Sequence, residues 1–181
     1  GVADGARQLF AERVMNTEKR PVAVVIGATS KWQKDGRNTR LIHGEDVDDS
    51  AIPVAARWGV GGAIAQKFAG EGFFTVLTTR SAGNAAQLQS AIINQGGACM
   101  IVELDLANDA SIARAFAQIR DAAGDPEVLI YNAGYLEGRD LAPEMELLEF
   151  VPTEIFDTAN DIAVRGPFLV AKEVLPAMRK K

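Results

Sequence analysis

The chain has 181 residues, enough for one domain with a real core, and its 48% hydrophobic and 24% charged residues are an ordinary globular composition. A net charge of -5 with no long basic run argues against nucleic acid, which needs clustered Lys and Arg to neutralise phosphates. No apolar run approaches the roughly 20 residues of a membrane span, and residues 1–20 carry charges throughout, unlike a secretory leader.

In chain order, residues 1–20 read as an N-terminal extension. Within it, residues 3–16 form either an amphipathic helix, with Leu9, Phe10 and Val14 on one side, or a disordered tail. PVAVVIGATS (21–30) is a continuous apolar run ending at glycine, the pattern of a strand buried on both faces over 21–26. Residues 31–58 are polar and irregular. Gly61 to Gly72 reads as a helix with Val60, Ile64 and Phe68 at four-residue spacing. FFTVLTT (73–79) is a second strand, followed by a helix over 82–95 that turns Leu88 and Ile92 inward. ACMIVEL (98–104) is a third strand. Its single cysteine, Cys99, excludes an internal disulfide, reads as a small buried hydrophobe, and fits a reducing, cytoplasmic compartment. Residues 109–122 form a helix with Ile112, Ala115, Phe116 and Ile119 on one stripe. EVLIY (127–131) is a fourth strand, and a long helix is expected over 153–179, bent where Pro167 removes an N–H. Alternating strands and helices with short crossovers predict an α/β fold. It is a doubly wound, Rossmann-like parallel sheet in three layers, with helices on both faces.

The stretch RWGVGGAIAQKFA (57–69) crowds glycines at a helix start, yet the residues just before it do not make a strand. Removing 31–58 joins GATS to GVGGAIA and yields Gly27-x3-Gly59-x-Gly61, a tight turn running from the first strand into a helix N-terminus. Glycine there lets the backbone approach a pyrophosphate, and the unpaired N–H groups of the first helical turn point at the anion. On the glycines alone, a helix start that merely packs tightly remains an equal alternative. Ile64 stands where the longer fingerprint has glycine or alanine, and no Gly-x4-Gly-Lys-Ser/Thr loop exists.

The other strand ends carry Thr79-Arg80, Asp105-Leu106 and Asn132-Ala133-Gly134, all at the sheet edge where ligands of such folds lie. With VAVVIGATS, GVGGAIAQKFAGEGFFTVLTTR, VELDLAND, EVLIYNAG and FDTANDIAVRGPFLVAKEVLPAM in this order, the chain resembles the first two-thirds of a short-chain dehydrogenase/reductase. The resemblance covers most of 21–30 and 59–178. It implies a dinucleotide-binding domain over 21–181 with an insertion at 31–58. It also implies an NAD(P)-dependent oxidoreductase moving hydride to or from a carbonyl or alcohol carbon of a small molecule. An enoyl reductase and a non-catalytic nucleotide-binding or assembly module are the alternatives.

By the same resemblance, Gly27, Thr29, Ser30, Gly59, Val60 and Gly61 would hold the pyrophosphate. Asp105 and Leu106 would line the adenine; Asp105 reads equally as an acid at a helix N-terminus, since Asn108 or Asp109 begins the next helix, and the two readings are compatible. Asn132, Ala133 and Gly134 would sit beside the cofactor, with Tyr131 where a second Asn is common. An acid closing the second strand would favour NAD. Here Thr79 stands there with Arg80 after it, so the expectation is NADP over NAD, because a guanidinium binds a 2′-phosphate. A homo-oligomer through the long helix is implied; Ile155, Ile162, Phe168 and Val174 permit it and equally fit core packing. Two departures stand out. Ala163 occupies the tetrad Asn position, with Asn160 nearly a turn earlier, and no Ser with Tyr-x3-Lys is present, since Tyr135-x3-Arg139 lacks the lysine. The expectation is a chain that binds nucleotide without turning substrate over, its sheet incomplete at the C-terminal side, as in a partial copy of a longer enzyme.

The insertion reads either as a flap that brings Lys31, Lys34, Arg37 or Arg40 to phosphate or as a surface excursion. His43 reads as solvent-exposed. Glu45, Asp46, Asp48 and Asp49 lack the Gly and distal Glu of a calcium loop, so no metal is expected. Glu144, Glu146, Glu149 and Glu154 read as a wet face before the long helix.

Overall fold

A computed structural model describes residues 20–28, 58–134 and 147–180. Four strands, β1 (Val22–Ile26), β2 (Phe74–Thr79), β3 (Ala98–Glu103) and β4 (Val128–Tyr131), form one sheet in the order β3-β2-β1-β4. Every pairing is parallel: Val24 lies opposite Val76 and Leu129, and Val76 opposite Met100. β1 and β2 are buried along their whole length, as strands covered on both faces must be, whereas β4 at the sheet edge is half-buried throughout. The apolar runs without polar alternation are thus the two central strands.

The helices are α1 (Val60–Gly70), α2 (Ala86–Asn94), α3 (Asp109–Ala123), α4 (Thr153–Asn160) and α5 (Gly166–Met178). Two buried clusters lie on opposite faces of the sheet. One joins Val24, Ile26, Val76 and Val102 to Phe116 and Ile119 of α3 and Val170 and Val174 of α5. The other joins Val25, Leu77 and Cys99 to Ala65 of α1 and Leu88 and Ile92 of α2. Side chains alternate across the pleat, so consecutive strand residues feed different clusters. This is the three-layer, doubly wound architecture that the strand–helix alternation predicts.

Three details add to or differ from the sequence reading. Of the spaced set on α1, Val60 is 71% exposed, and the helix buries Gly61, Gly62, Ala65 and Ala69. Small residues let the helix lie close to the strands, and Phe68 packs edge-on against Phe73 with ring centroids 5.1 Å apart. Residues 82–84 form a 3₁₀ turn ahead of α2. The expected helix over 153–179 is interrupted by a π turn, Asp161–Arg165. Pro167 falls just after it, at the start of α5, and has no N–H to bond back into the π turn. The expected extension and insertion lie outside the described residues apart from Arg20 and Trp58. No helix among the described residues is long and apolar enough to cross a membrane.

Candidate functional site

The carboxyl ends of the four parallel strands lie on one side of the sheet, with Gly27 at the exit of β1 between those of β2 and β4. This residue ends β1 with φ +81, a left-handed conformation that L side chains resist. A Cβ built on Gly27 would stand 2.8 Å from the Ala133 Cα, so the turn after β1 also touches the backbone leaving β4. The start of α1 closes on the same point. A Cβ on Gly61 would collide with the Gly27 carbonyl oxygen and stand 2.7 Å from the Asn132 Nδ2. Asn132 donates that Nδ2 to the Gly27 carbonyl at 3.1 Å, and its own N–H continues the sheet ladder to the Ile26 carbonyl at 2.9 Å. Gly27 and the start of α1 are therefore in contact, and glycine is required on both sides of it.

Gly59 is the N-cap of α1 with φ -59, so no backbone strain demands glycine there. Neither a side-chain cap nor an acidic residue occupies the first turn, and the first N–H bonded back is that of Ala63, to the Gly59 carbonyl at 2.9 Å. By helix geometry the N–H groups of Val60, Gly61 and Gly62 have no intrahelical acceptor, which makes this end electropositive. The result is an uncapped helix start whose backbone donors lie beside the Gly27 turn, suited to an anion. Thr29 and Ser30 lie outside the described residues.

Thr78 was not singled out by the sequence. Its buried hydroxyl donates to the Val25 carbonyl at 3.2 Å and accepts from the Gly27 N–H at 3.3 Å, while the Ala28 N–H reaches the Thr78 carbonyl at 3.0 Å. One threonine of β2 thereby holds the turn after β1 in place. The signal was a buried hydroxyl in an apolar strand, which must find a partner.

At the other strand ends, Arg80 is exposed just past β2. Asp105 is exposed past β3, and its Oδ1 accepts from the Ala107 N–H at 3.1 Å, a local turn that shapes the approach to α3. Its backbone N–H donates to the Ser111 hydroxyl at 3.0 Å, and Asn108 caps α3 by accepting from the Ser111 N–H at 2.9 Å. The helix thus starts where the sequence placed it, with Asn108 as its cap and Asp105 an acid just ahead of it. Leu106 is buried in the α3–α5 cluster, and Gly134 is exposed beyond β4. Gly27, Gly61, Asn132 and Ala133 come together. Arg80 and Asp105 stand at neighbouring strand exits on the same edge.

The π turn shapes the flank of this edge. In it the Gly166 N–H bonds to the Asp161 carbonyl instead of to that of Ile162. The next residue, Pro167, has no N–H to offer, so the Ile162 carbonyl is left without a helical donor. The Tyr131 hydroxyl, reaching from the end of β4, donates to it. Burial pushes the Tyr131 phenol up to about 12, which keeps it protonated as a donor. Gly166 packs beneath that hydroxyl, where a Cβ would stand 2.6 Å from it. Arg165 extends from the same turn to both carboxylate oxygens of Asp109, at 2.5 and 2.6 Å. Ala163 is exposed, and the Asn160 side chain is turned back onto the Phe156 carbonyl at 3.1 Å.

Two shallow clefts lie elsewhere, one beside Arg120 and Glu173, the other beside Gly72 and Gly97 where β2 and β3 begin. The described residues contain no group of three or more His, Cys, Asp or Glu placed to hold a metal ion. His43 and the 45–49 acidic run lie outside them.

Comparison with known proteins agrees with this geometry. A family model described as enoyl-(acyl carrier protein) reductase matches residues 54–181. An uncharacterized oxidoreductase, YxbG, of Bacillus subtilis (strain 168) is 31% identical over 130 residues, which are 71% of this chain and 45% of that protein. The 3-oxoacyl-[acyl-carrier-protein] reductase FabG of Aquifex aeolicus (strain VF5) is 30% identical over 124 residues, 68% of this chain and 47% of that one. The chain thus spans about half the length of the curated relatives it matches. Among solved structures, a metagenomic short-chain oxidoreductase in complex with NADP superposes with TM-score 0.63 at 24% identity, covering 87% of this chain and 56% of that one. L-sorbose reductase from Gluconobacter frateurii, complexed with NADPH and L-sorbose, gives 0.64 at 21% identity over 89% of this chain and 48% of that one. On its sequence match and its fold, the chain belongs to the short-chain dehydrogenase/reductase family.

Proposed function

We propose that the chain holds an adenine dinucleotide, NADP in preference to NAD, for an oxidoreductase acting on a carbonyl or alcohol carbon of a small molecule. The observation that supports this is the close packing of Gly27 against Gly61 beside Asn132, which sets the turn after β1 against the uncapped N-terminus of α1. In this reading Gly27, Gly59, Val60 and Gly61, with Thr29 and Ser30, hold the pyrophosphate by backbone N–H groups. Asp105 and Leu106 border the adenine. Asn132, Ala133 and Gly134 border the ribose next to the reacting ring. When bound, the nicotinamide supplies the hydride chemistry, and the chain supplies binding and orientation.

Arg80 supplies the preference for NADP: it stands past the end of β2 with no ion pair among the described residues, free to meet a 2′-phosphate. Titration of the chain with NADPH and NADH tests both levels of the reading. Tighter NADPH binding, lost on Arg80→Ala with NADH unaffected, is expected. Equal affinities overturn the preference, and no binding of either overturns the dinucleotide reading.

The matching family description favours a second reading, reduction of an enoyl thioester. NADPH oxidation with enoyl and with 3-oxoacyl thioesters separates the two. The exposed Ala163 supports a third reading, a nucleotide-holding module without turnover. We place the self-association surface on Phe156, Val164, Phe168 and Leu175, all exposed along α4, the π turn and α5. Of the apolar set named from sequence, Val174 faces the core and only Phe168 points outward. Phe168→Glu shifting the chain to monomer in sedimentation would support that surface, and an unchanged mass would remove it.

A further inference from the structure

β2 leaves the sheet at Thr79, and Arg80 and Ser81 lead into the 3₁₀ turn Ala82–Asn84. The register partner of Thr79 is Glu103, the last residue of β3. Glu103 is exposed, and its Oε1 accepts a hydrogen bond from the Ala82 N–H at 2.9 Å. A carboxylate from the neighbouring strand therefore spans the exit of β2 two residues from Arg80. The sequence alone shows no acid at this exit. The pairing of β2 with β3 brings one there.

We propose that Glu103 is a specificity-determining residue for the adenosine end of the dinucleotide. Its carboxylate narrows the preference for the 2′-phosphorylated form that Arg80 creates. The inference rests on the reading that the β2 exit holds the adenosine ribose. A phosphate monoester carries close to two negative charges near neutral pH. A nearby guanidinium attracts it and a nearby carboxylate repels it, whereas a 2′-hydroxyl is indifferent to the repulsion and can donate to a carboxylate. Glu103 also occupies the Ala82 N–H, a donor that would otherwise be open to a phosphate oxygen. Arg80 and Glu103 thus push selectivity in opposite directions at one strand exit.

The test is fluorescence titration of NADPH and NADH into the wild-type chain, Glu103→Gln and Glu103→Ala, at low and high salt. Gln keeps an acceptor oxygen for the Ala82 N–H and drops the charge. In both variants the ratio of NADPH to NADH affinity should rise about three- to tenfold at low salt, the scale of one charge at a water-exposed site. The gain should shrink as the Debye length falls from about 30 Å at 0.01 M to about 3 Å at 1 M. A change in Glu103→Ala but not in Glu103→Gln, or one insensitive to salt, assigns Glu103 to loop structure alone and overturns the proposal. Unchanged ratios with both nucleotides still binding overturn it and leave the dinucleotide reading standing. Failure of the wild type to bind either nucleotide overturns both.

Discussion

Tyr131→Phe isolates one hydrogen bond whose necessity follows from backbone arithmetic. The π turn sends the Gly166 N–H to Asp161, Pro167 has no N–H, and the Tyr131 hydroxyl is what reaches the Ile162 carbonyl. Removing the hydroxyl forfeits a net hydrogen bond of about 0.5–1.5 kcal/mol and strands an acceptor, which costs about 1–3 kcal/mol when fully buried. Tyr131 is half-buried, so water reaches part of the site and the lower end applies, about 1.5 kcal/mol in all. At 2–4 °C per kcal/mol for a chain of this size, Tm should fall by about 3–6 °C. Pro167→Ala supplies the comparison, since it restores an N–H that can reach the Ile162 carbonyl as a second i→i+5 bond. In that background Tyr131→Phe should cost less than about 0.5 kcal/mol. The assay is urea unfolding of the four proteins of the cycle, read by far-UV circular dichroism. An equal cost of Tyr131→Phe in both backgrounds would refute the reasoning, because the hydroxyl would then not be serving a carbonyl that proline left bare.

Gly61→Ala should destabilise the chain by about 2 kcal/mol and abolish NADPH binding, because its Cβ meets the Gly27 backbone and the Asn132 amide. Gly70→Ala, with nothing within 4 Å of its Cβ, should stay within about 1 kcal/mol of wild type in the same urea titration, and equal effects at the two positions would sink the argument. Asn108→Ala should cost about 1 kcal/mol by uncapping α3, with Asn108→Ser recovering most of it. Burial raises the Cys99 thiol from its ordinary 9.0 to about 12 and the Tyr131 phenol from 10.0 to about 12. Both groups lose their protons more readily unfolded than folded. Their stabilisation is therefore intact below about pH 9 and is lost as pH climbs toward 12. Urea midpoints should decline from pH 9 to 10.5, and the Cys99 thiol should resist Ellman's reagent at pH 8 until the chain unfolds. A flat midpoint over that range, or rapid labelling of the native chain, counts against the assignment.

Much of the architecture was legible in the residues. PVAVVI and FTVLTT lack polar alternation because both faces are covered, and Ile112, Ala115, Phe116 and Ile119 repeat at helical spacing because one stripe of α3 meets the sheet. The splice across 31–58 was legible too, since Gly27 and Gly61 make sense only in contact. The orientation of α1 was not. Val60, Ile64 and Phe68 share four-residue spacing, but the fully buried face is Gly61, Gly62, Ala65 and Ala69, with Ile64 packed at its margin and Val60 exposed, because small residues let the helix lie close to the sheet. The π turn was likewise hidden: Pro167 announced a break, and where the break fell depended on a tyrosine from β4.

By itself the sequence determined the kind of fold and the glycines at the exit of its first strand, because hydrophobic period and glycine placement are local properties of the chain. Tertiary structure decided which side chains reach across from other strands. Thr78 holds the turn after β1, Asn132 locks Gly27, Tyr131 satisfies Ile162 and Glu103 crosses to Ala82. Each of these contacts joins residues at least 21 positions apart, and parallel register, not spacing along the chain, sets which strand ends become neighbours.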